Sequence, residues 1–166
     1  MQTLTASQLN DILYNTVVRA YQRYFVEANY LAACYHIGCR STEIAGNITL
    51  SYDSNTQVLI YEQPKTHIIR TVQIQSNDFF TADDLTGIIP QLSTYSYATI
   101  ERAFIWSSNG QQMKVGQKNG GVHLFRHNYA KQQRSLGLSD IQVAGKMGLT
   151  TAGSALRYIN SNVILL

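Results

Sequence analysis

The first part of the chain has the apolar spacing of a helix. Apolar side chains and one threonine recur every three or four positions at Leu9, Ile12, Leu13, Thr16, Val17 and Ala20. This spacing places them on one helix face. Thr5 or Ser7 can cap the helix, and the pattern continues through Ala28. A second helix is predicted from about residue 29 to residue 37, ending at Gly38, and a short third one is predicted to start at residues 41–43.

Between residues 47 and 74 the apolar residues no longer recur at helical spacing but at every second position, as in a strand. Three segments alternate in this way. The residues that share one face of each predicted strand are Ile48, Leu50 and Tyr52 in the first, Val58, Ile60 and Glu62 in the second, and Ile68, Arg70, Val72 and Ile74 in the third. Turn-forming residues at positions 53–55 and 63–66 separate the segments. The pattern predicts a three-stranded antiparallel meander that covers the helical core.

Helical patterns return in the second half. Thr81 can cap a helix with acidic residues in its first turn, and Pro90 falls near its end. Residues 93–99 fit either a loop or the next helix start, residues 104–106 read as strand-like or buried, and residues 107–121 read as a surface loop. Three helices are predicted after these, over residues 122–136, from 138–140 to Gly148, and over 151–159. The fold class is therefore α+β and mainly α.

Composition favours one folded domain. Of 166 residues, 45% are hydrophobic and 14% are charged, which excludes a disordered chain. The net charge of +3 permits a nucleic-acid partner without requiring one. No run approaches the roughly 20 apolar residues of a membrane span, and no signal peptide is evident, so we expect a cytoplasmic protein without membrane contact. Cys34 and Cys39 lack zinc-ligand partners and are expected to be free, buried thiols.

One cluster stands out as candidate chemistry. His123, Arg126 and His127 have the i, i+3, i+4 spacing that places three side chains on one helix face, and Gly120-Gly121 precedes them. Such a face suits a phosphate group. A structural or solvated role explains the cluster equally well when it is considered alone.

Together with three further motifs, this cluster resembles the catalytic domain of the tyrosine recombinases, the phage integrase family. The matching residues are Gly38-Cys39-Arg40-Ser41-Thr42-Glu43 for the first arginine block, Lys65 ahead of Arg70-Thr71-Val72 for the turn lysine and its strand, His123, Arg126 and His127 for the second block, and Arg157-Tyr158 for the nucleophile. The resemblance runs from about residue 31 to residue 160. One position departs, because Leu149, nine residues before Tyr158, stands where the family has His or Trp.

The resemblance implies a mainly helical domain with a small three-stranded sheet, and it implies a role for each matching residue. Tyr158 would attack a DNA phosphate, Arg40 and Arg126 would hold its non-bridging oxygens, and Lys65 would protonate the leaving oxygen. His123 would assist on the phosphate or the tyrosine proton. Supporting roles fall to Glu43 and His127. Leu149 bears on catalytic efficiency rather than on fold.

The resemblance also implies partners. We expect double-stranded DNA as substrate, no cofactor or metal, self-assembly into a tetramer on DNA, and a location in the host cytoplasm or nucleoid. The host element, whether phage, plasmid or integrated mobile element, is left open. Residues 1–166 are expected to form a single catalytic domain, without the helical N-terminal domain with which integrases clamp DNA. The apolar end at residues 163–166 is expected to pack in cis or onto a neighbouring subunit.

Three alternatives remain beside the recombinase. The first is a catalytically weakened relative that binds DNA without cutting it, which Leu149 favours. The second is a type IB topoisomerase, which uses a similar residue set to relax supercoils. The third is a helical protein-interaction domain without catalysis. The five intact motif residues Arg40, Lys65, His123, Arg126 and Tyr158 favour the recombinase.

Overall fold

Seven helices hold about half of the residues in the computed structural model, which describes residues 1–80 and 82–166. The helices in this part of the chain are α1 Ala6–Ala20, α2 Phe25–Ile37, α3 Ala82–Leu92, α4 Tyr97–Ser107, α5 Leu124–Ser135, α6 Asp140–Met147 and α7 Ala152–Ile159. The strands are β1 Gln2–Thr3, β2 Ser51–Asp53, β3 Val58–Glu62, β4 Ile69–Gln73, β5 Met113–Val115, β6 Lys118–Asn119 and β7 Val163–Leu165. The predicted α+β, mainly α class is confirmed.

Local signals placed several helix ends correctly. Thr5 caps α1 in a reciprocal capping box with Gln8, and Ser139 does the same for α6 with Gln142. Gly38 and Gly148 end α2 and α6 in the left-handed conformation, with φ of 60° and 72°. The predicted cap of α3, Thr81, lies outside the described residues.

The predicted meander is present, but the buried face of its middle strand was assigned wrongly. The strands pair antiparallel in the order β2-β3-β4. Arg70 and Val72 of β4 are buried as the alternation predicts, whereas β3 buries Leu59 and Tyr61 and exposes Ile60. The register explains the difference, because Leu59 lies opposite Val72 and Tyr61 lies opposite Arg70. Residues directly opposite on neighbouring strands share a sheet face.

Three other local predictions were wrong. Helix α2 begins at Phe25, about four residues earlier than predicted. Residues 41–43 form turns rather than a helix, because the Glu43 carboxylate accepts the backbone N–H of Arg40 (2.6 Å) and Gly46 takes a left-handed φ of 74°. Residues 104–106 lie within α4, so the strand-like interpretation is wrong, whereas the alternative that they are buried holds for Phe104 but not for Ile105.

The predicted surface loop at residues 107–121 contains a hairpin that belongs to a second sheet. Its strands β5 and β6 pair antiparallel, and β7 pairs with both β5 and β1, giving the order β1-β7-β5-β6. The apolar chain end therefore packs in cis, with Val163 buried. Such long-range pairing has no local sequence signal, which is why the loop prediction missed it.

The main core lies between α1, α2, α3, α4, the first turn of α5 and the meander. A smaller apolar cluster joins the second half of the chain, formed by Tyr129, Ala130, Val143, Ala144, Met147 and Ala155. Cys34 and Cys39 are free and buried, as predicted. In the described part of the chain, no helix is long and apolar enough to cross a membrane.

Arg70 connects the meander to the ends of two helices. Its side chain is 1% exposed. The guanidinium donates to the Lys146 carbonyl (3.1 and 2.8 Å), to the Ile37 carbonyl and to the Tyr61 hydroxyl (3.0 Å). One buried arginine thus holds the C-terminal ends of α2 and α6 against β4, close to the two glycines that end those helices.

Replacing Arg70 with methionine should destabilise the fold strongly. Methionine keeps much of the buried volume but leaves the two helix-end carbonyls without their donor, which should lower the free energy of unfolding by about 3 kcal/mol. Equilibrium unfolding in urea measures this loss. The exposed Arg102 on α4 provides the control, because Arg102→Met should change the free energy of unfolding by less than about 0.5 kcal/mol. Equal effects of the two substitutions would contradict the role of Arg70.

Candidate functional site

The entry into α5 sets the position of the candidate site. Residues Gly121–His123 form a 3₁₀ turn that runs directly into α5. Gly121 has a left-handed φ of 53°, and a Cβ added to it would lie 2.4 Å from a carboxylate oxygen of Glu101. Glycine takes this positive φ without the strain that a side chain would introduce. The turn places His123 immediately before the helix that carries Arg126 and His127.

Arg126 is fully buried and only partly hydrogen-bonded. Its side chain is 0% exposed. Nη1 donates to the Gly38 carbonyl (2.7 Å) and lies 3.7 Å from a Glu43 carboxylate oxygen. Nε and Nη2 are buried without a hydrogen-bond partner among the described residues. Buried charged donors without partners are costly, and an anion placed against this guanidinium would satisfy both of them.

The turn after α2 brings the first arginine block beside Arg126. Gly38 packs so closely on α5 that an added Cβ would lie 2.4 Å from the Tyr129 side chain. Glu43 is 2% exposed, accepts the Arg40 backbone N–H through Oε1, and leaves Oε2 unpartnered among the described residues. The Glu43 carboxylate therefore orders the Arg40 turn and faces the charge of Arg126.

Tyr158 on α7 lies against all three polar residues of the α5 motif. The Arg126 guanidinium carbon is 4.9 Å from the centre of the Tyr158 ring. The ring centroids of His123 and His127 lie 5.8 and 5.0 Å from that of Tyr158, and the two imidazoles are 5.3 Å apart. The fold thus joins motifs separated by about thirty residues.

Both histidines of the cluster favour the neutral form. Burial lowers the pKa of His123, and the positive charges of Arg126, Arg40 and Lys118 lower it further. Burial also lowers the pKa of His127 to about 3, with additional repulsion from His123 and Lys131. Neutral imidazoles can accept or donate hydrogen bonds, and they add no charge that competes with the arginines.

A short hydrogen-bond chain determines the tautomer of His127. The Ser161 hydroxyl donates to the Tyr158 carbonyl (2.8 Å), so its oxygen accepts from Nδ1 of His127, also at 2.8 Å. Nε2 of the neutral ring is then unprotonated. His127 consequently holds the backbone of the Tyr158 turn through Ser161.

Acid should destabilise the fold through His127. Its pKa is about 3 in the folded chain against 6.5 for the free group. The folded state therefore resists protonation, and stability present above pH 6.5 is lost as pH falls towards 3, at about 1.4 kcal/mol per pH unit. His127→Asn keeps a donor for Ser161 but does not titrate. Urea unfolding at pH 8 and pH 5 should show a loss about 2 kcal/mol smaller in His127→Asn, and equal losses would contradict this assignment.

Two predicted site residues are not part of the polar group formed by Arg126, His123, His127 and Tyr158. Lys65 is exposed in the turn between β3 and β4. Its neighbour Gln63 is buried and donates to the Gly148 carbonyl (3.0 Å), which anchors the turn to the end of α6. Leu149 packs against the smaller apolar cluster beside Tyr158. It offers that cluster an apolar side chain where the family has a polar or aromatic one.

Sequence reasoning missed three residues around the site. Gln63 anchors the Lys65 turn, while Ser161 and Lys131 hold the chain that follows Tyr158. The i, i+4 spacing of His127 and Lys131 was the available signal for Lys131. Within residues 1–80 and 82–166, no group of three or more His, Cys, Asp or Glu side chains could hold a metal ion.

Comparisons with known proteins agree on the fold. No protein-family model and no curated protein matches the sequence. Solved structures do match, among them a lambda integrase dimer bound to a COC′ core site (17% identity, TM-score 0.65, 95% of this chain) and XerA recombinase (15%, 0.66, 90%). The Tn1549 transposon integrase in complex with a circular intermediate DNA matches at 14% identity, a TM-score of 0.62 and 95% of this chain.

The matched region is only part of each solved structure. The chain spans 59%, 56% and 60% of the lengths of these three proteins. At such identities the likeness is one of fold, and it extends over nearly all of the present chain. The chain therefore has the tyrosine recombinase catalytic fold that its four motifs predict.

Proposed function

We propose that this chain cleaves and rejoins DNA strands through a 3′-phosphotyrosine intermediate, as a site-specific recombinase or integrase. One observation carries the proposal above the others. The buried Arg126 guanidinium has two unpartnered donors and lies 4.9 Å from the Tyr158 ring. A phosphate diester would satisfy those donors at the place where a tyrosine hydroxyl could attack it.

The proposed reaction needs no external energy source. The Tyr158 hydroxyl oxygen attacks phosphorus, its proton passes to His123 or solvent, and the bond from phosphorus to the 5′ oxygen breaks. Arg126 and Arg40 stabilise the charge that develops on the non-bridging oxygens. The 5′-hydroxyl of a second strand later attacks the phosphotyrosine and regenerates Tyr158, so the number of phosphodiester bonds is conserved.

Lys65 is the proposed donor of a proton to the leaving 5′ oxygen. Its turn is anchored beside Leu149 through Gln63, while its own side chain is exposed and free to meet bound DNA. An ammonium group can both attract the phosphate and transfer a proton. The relatives bound to DNA as dimers and as a Holliday-junction tetramer support double-stranded DNA as the partner and a tetramer as the working assembly.

Covalent trapping on a randomised DNA pool tests the proposal. Each duplex would carry a 5′-bridging phosphorothiolate within randomised flanks, so that cleavage releases a thiol that does not readily reverse the reaction. We expect a denaturant-resistant adduct and, after nuclease and trypsin digestion, a nucleotide on the peptide that begins at Tyr158, since trypsin cuts after Arg157. An adduct on another residue, or none from the pool, would contradict the proposal.

Leu149 supports a second candidate, a relative that binds DNA without cutting it. The side chain packs in the apolar cluster beside Tyr158 and supplies no hydrogen-bond donor for a phosphate. The same experiment separates the two functions. A binder would retain pool duplexes reversibly and form no adduct, whereas a topoisomerase-like enzyme would form the adduct and also relax supercoiled plasmid without exchanging strands.

A further inference from the structure

Two side chains of α5 form hydrogen bonds to the segment that follows Tyr158. Lys131, one turn after His127 on the same helix face, donates through Nζ to the carbonyls of Ile159 (2.9 Å) and Ser161 (2.5 Å). His127 bonds the Ser161 hydroxyl, which in turn donates to the Tyr158 carbonyl. Three hydrogen bonds from α5 therefore converge on Ile159, the last residue of α7, and on Ser161 just beyond it.

The position of Lys131 at this helix end has a physical consequence. The last carbonyls of α7 have no partner within the helix, and the negative end of its dipole lies there. A lysine from α5 satisfies one of these carbonyls and places its positive charge at that end. Because the ammonium is half-buried where it meets these carbonyls, burial lowers the pKa of Lys131.

We propose that Lys131 and Ser161 are positioning residues for Tyr158, an inference that rests on the proposed function. Helix α5 carries both Arg126, the proposed phosphate-binding group, and Lys131, which hydrogen-bonds the chain after Tyr158. The helix therefore sets the distance between the phosphate and the attacking hydroxyl. Beyond Ser161 the chain continues into β7, which is paired on both edges. The Tyr158 turn is thus held at α5 on one side and by the second sheet on the other.

Loss of the Lys131 or Ser161 hydrogen bonds should slow the attack of Tyr158 on the phosphate rather than weaken DNA binding. Neither Lys131 nor Ser161 contacts the proposed phosphate position, but a displacement of about 1 Å at a reacting group can cost on the order of 10²-fold in rate. In Lys131→Met, we expect the single-turnover rate of adduct formation at saturating DNA to fall by about 10²-fold, with the DNA dissociation constant unchanged within about twofold. Ser161→Ala should act in the same direction.

The experiment combines this rate with hydrogen exchange. The substrate is the phosphorothiolate duplex recovered from the randomised pool. In Lys131→Met, amides of residues 152–163 should exchange faster while those of α2 stay protected, which shows that the fold persists. Lys146→Met, which removes an exposed lysine from α6, should leave both readouts at wild-type values. The double variant of Lys131 and Ser161 should lose less than the product of the single losses, because both act on one turn.

Three outcomes would overturn the inference, and they are distinguishable. A wild-type chain that forms the adduct together with a Lys131→Met variant that reacts equally fast would overturn the positioning role alone. A wild-type chain that forms no adduct would overturn the proposed function, and the positioning role with it. A raised DNA dissociation constant in Lys131→Met, with the wild-type rate at saturating DNA, would show that Lys131 binds DNA instead.

Discussion

Replacing Tyr158 with phenylalanine should abolish the covalent protein–DNA adduct. The substitution removes only the hydroxyl, and the ring can keep its contacts with Arg126, His123 and His127. Because the hydroxyl oxygen is the proposed nucleophile, no other group in the cluster can replace it, and adduct formation should fall by at least about 10³-fold. DNA binding and the free energy of unfolding should change little.

The chain contains a matched control for this substitution. Tyr24 lies in the connection between α1 and α2, where its ring packs on Trp106 and is not part of the Tyr158 cluster. Tyr24→Phe removes the same hydroxyl and should leave adduct formation at the wild-type rate. An adduct that persists in Tyr158→Phe would show that Tyr158 is not the nucleophile. An adduct lost in both variants would show that the loss is not specific to Tyr158.

Replacing Lys65 with alanine should slow cleavage of an ordinary phosphodiester by about 10²–10⁴-fold, the contribution typical of general acid catalysis. The same variant should cleave a 5′-bridging phosphorothiolate nearly as fast as the wild-type chain does. A thiol with a pKa of about 8.5 leaves as the thiolate without a proton, whereas an alcohol with a pKa near that of water needs one. Lys65 is exposed, so the fold should not change.

Lys118 is the strongest competitor for the same role and therefore the proper comparison. It lies in β6 of the second sheet, near enough to His123 for its charge to contribute to lowering that pKa. Lys118→Ala should slow the two substrates to a similar and small extent, as loss of a simple phosphate contact would. If the phosphorothiolate restores the rate of Lys118→Ala but not that of Lys65→Ala, then Lys118 and not Lys65 donates the proton to the leaving oxygen, and the proposed role of Lys65 is wrong.

The amino-acid sequence determined those parts of the protein that depend on neighbouring residues. The cap at Thr5, one of two candidates, the helix start at residues 138–140 and the helix-ending glycines at positions 38 and 148 are local features with local energies, and the structure has them where the sequence predicts. The mainly helical class and the order of the meander followed from apolar periodicity. The four motifs likewise identified the fold, because their order along the chain is itself sequence information.

Tertiary structure decided whatever depends on contacts between distant parts of the chain. Every residue of β3 from Val58 to Tyr61 is apolar, so only pairing with β4 could show that Leu59 and Tyr61 are buried. The second sheet joins the two ends of the chain, and its pairing has no local signal. Arg70 resembled an ordinary strand residue, yet it closes two helix ends through carbonyls 33 and 76 residues away.

The candidate site divides in the same way. The sequence determined which residue types were available, namely two arginines, a turn lysine, two histidines and a tyrosine at suggestive spacings. Only the fold could bring Arg126 within 4.9 Å of the Tyr158 ring, leave two of its donors unpartnered, and place Lys131 at the end of α7. Spacing along a chain records local geometry, whereas burial and charge pairing are set by whatever segments pack together.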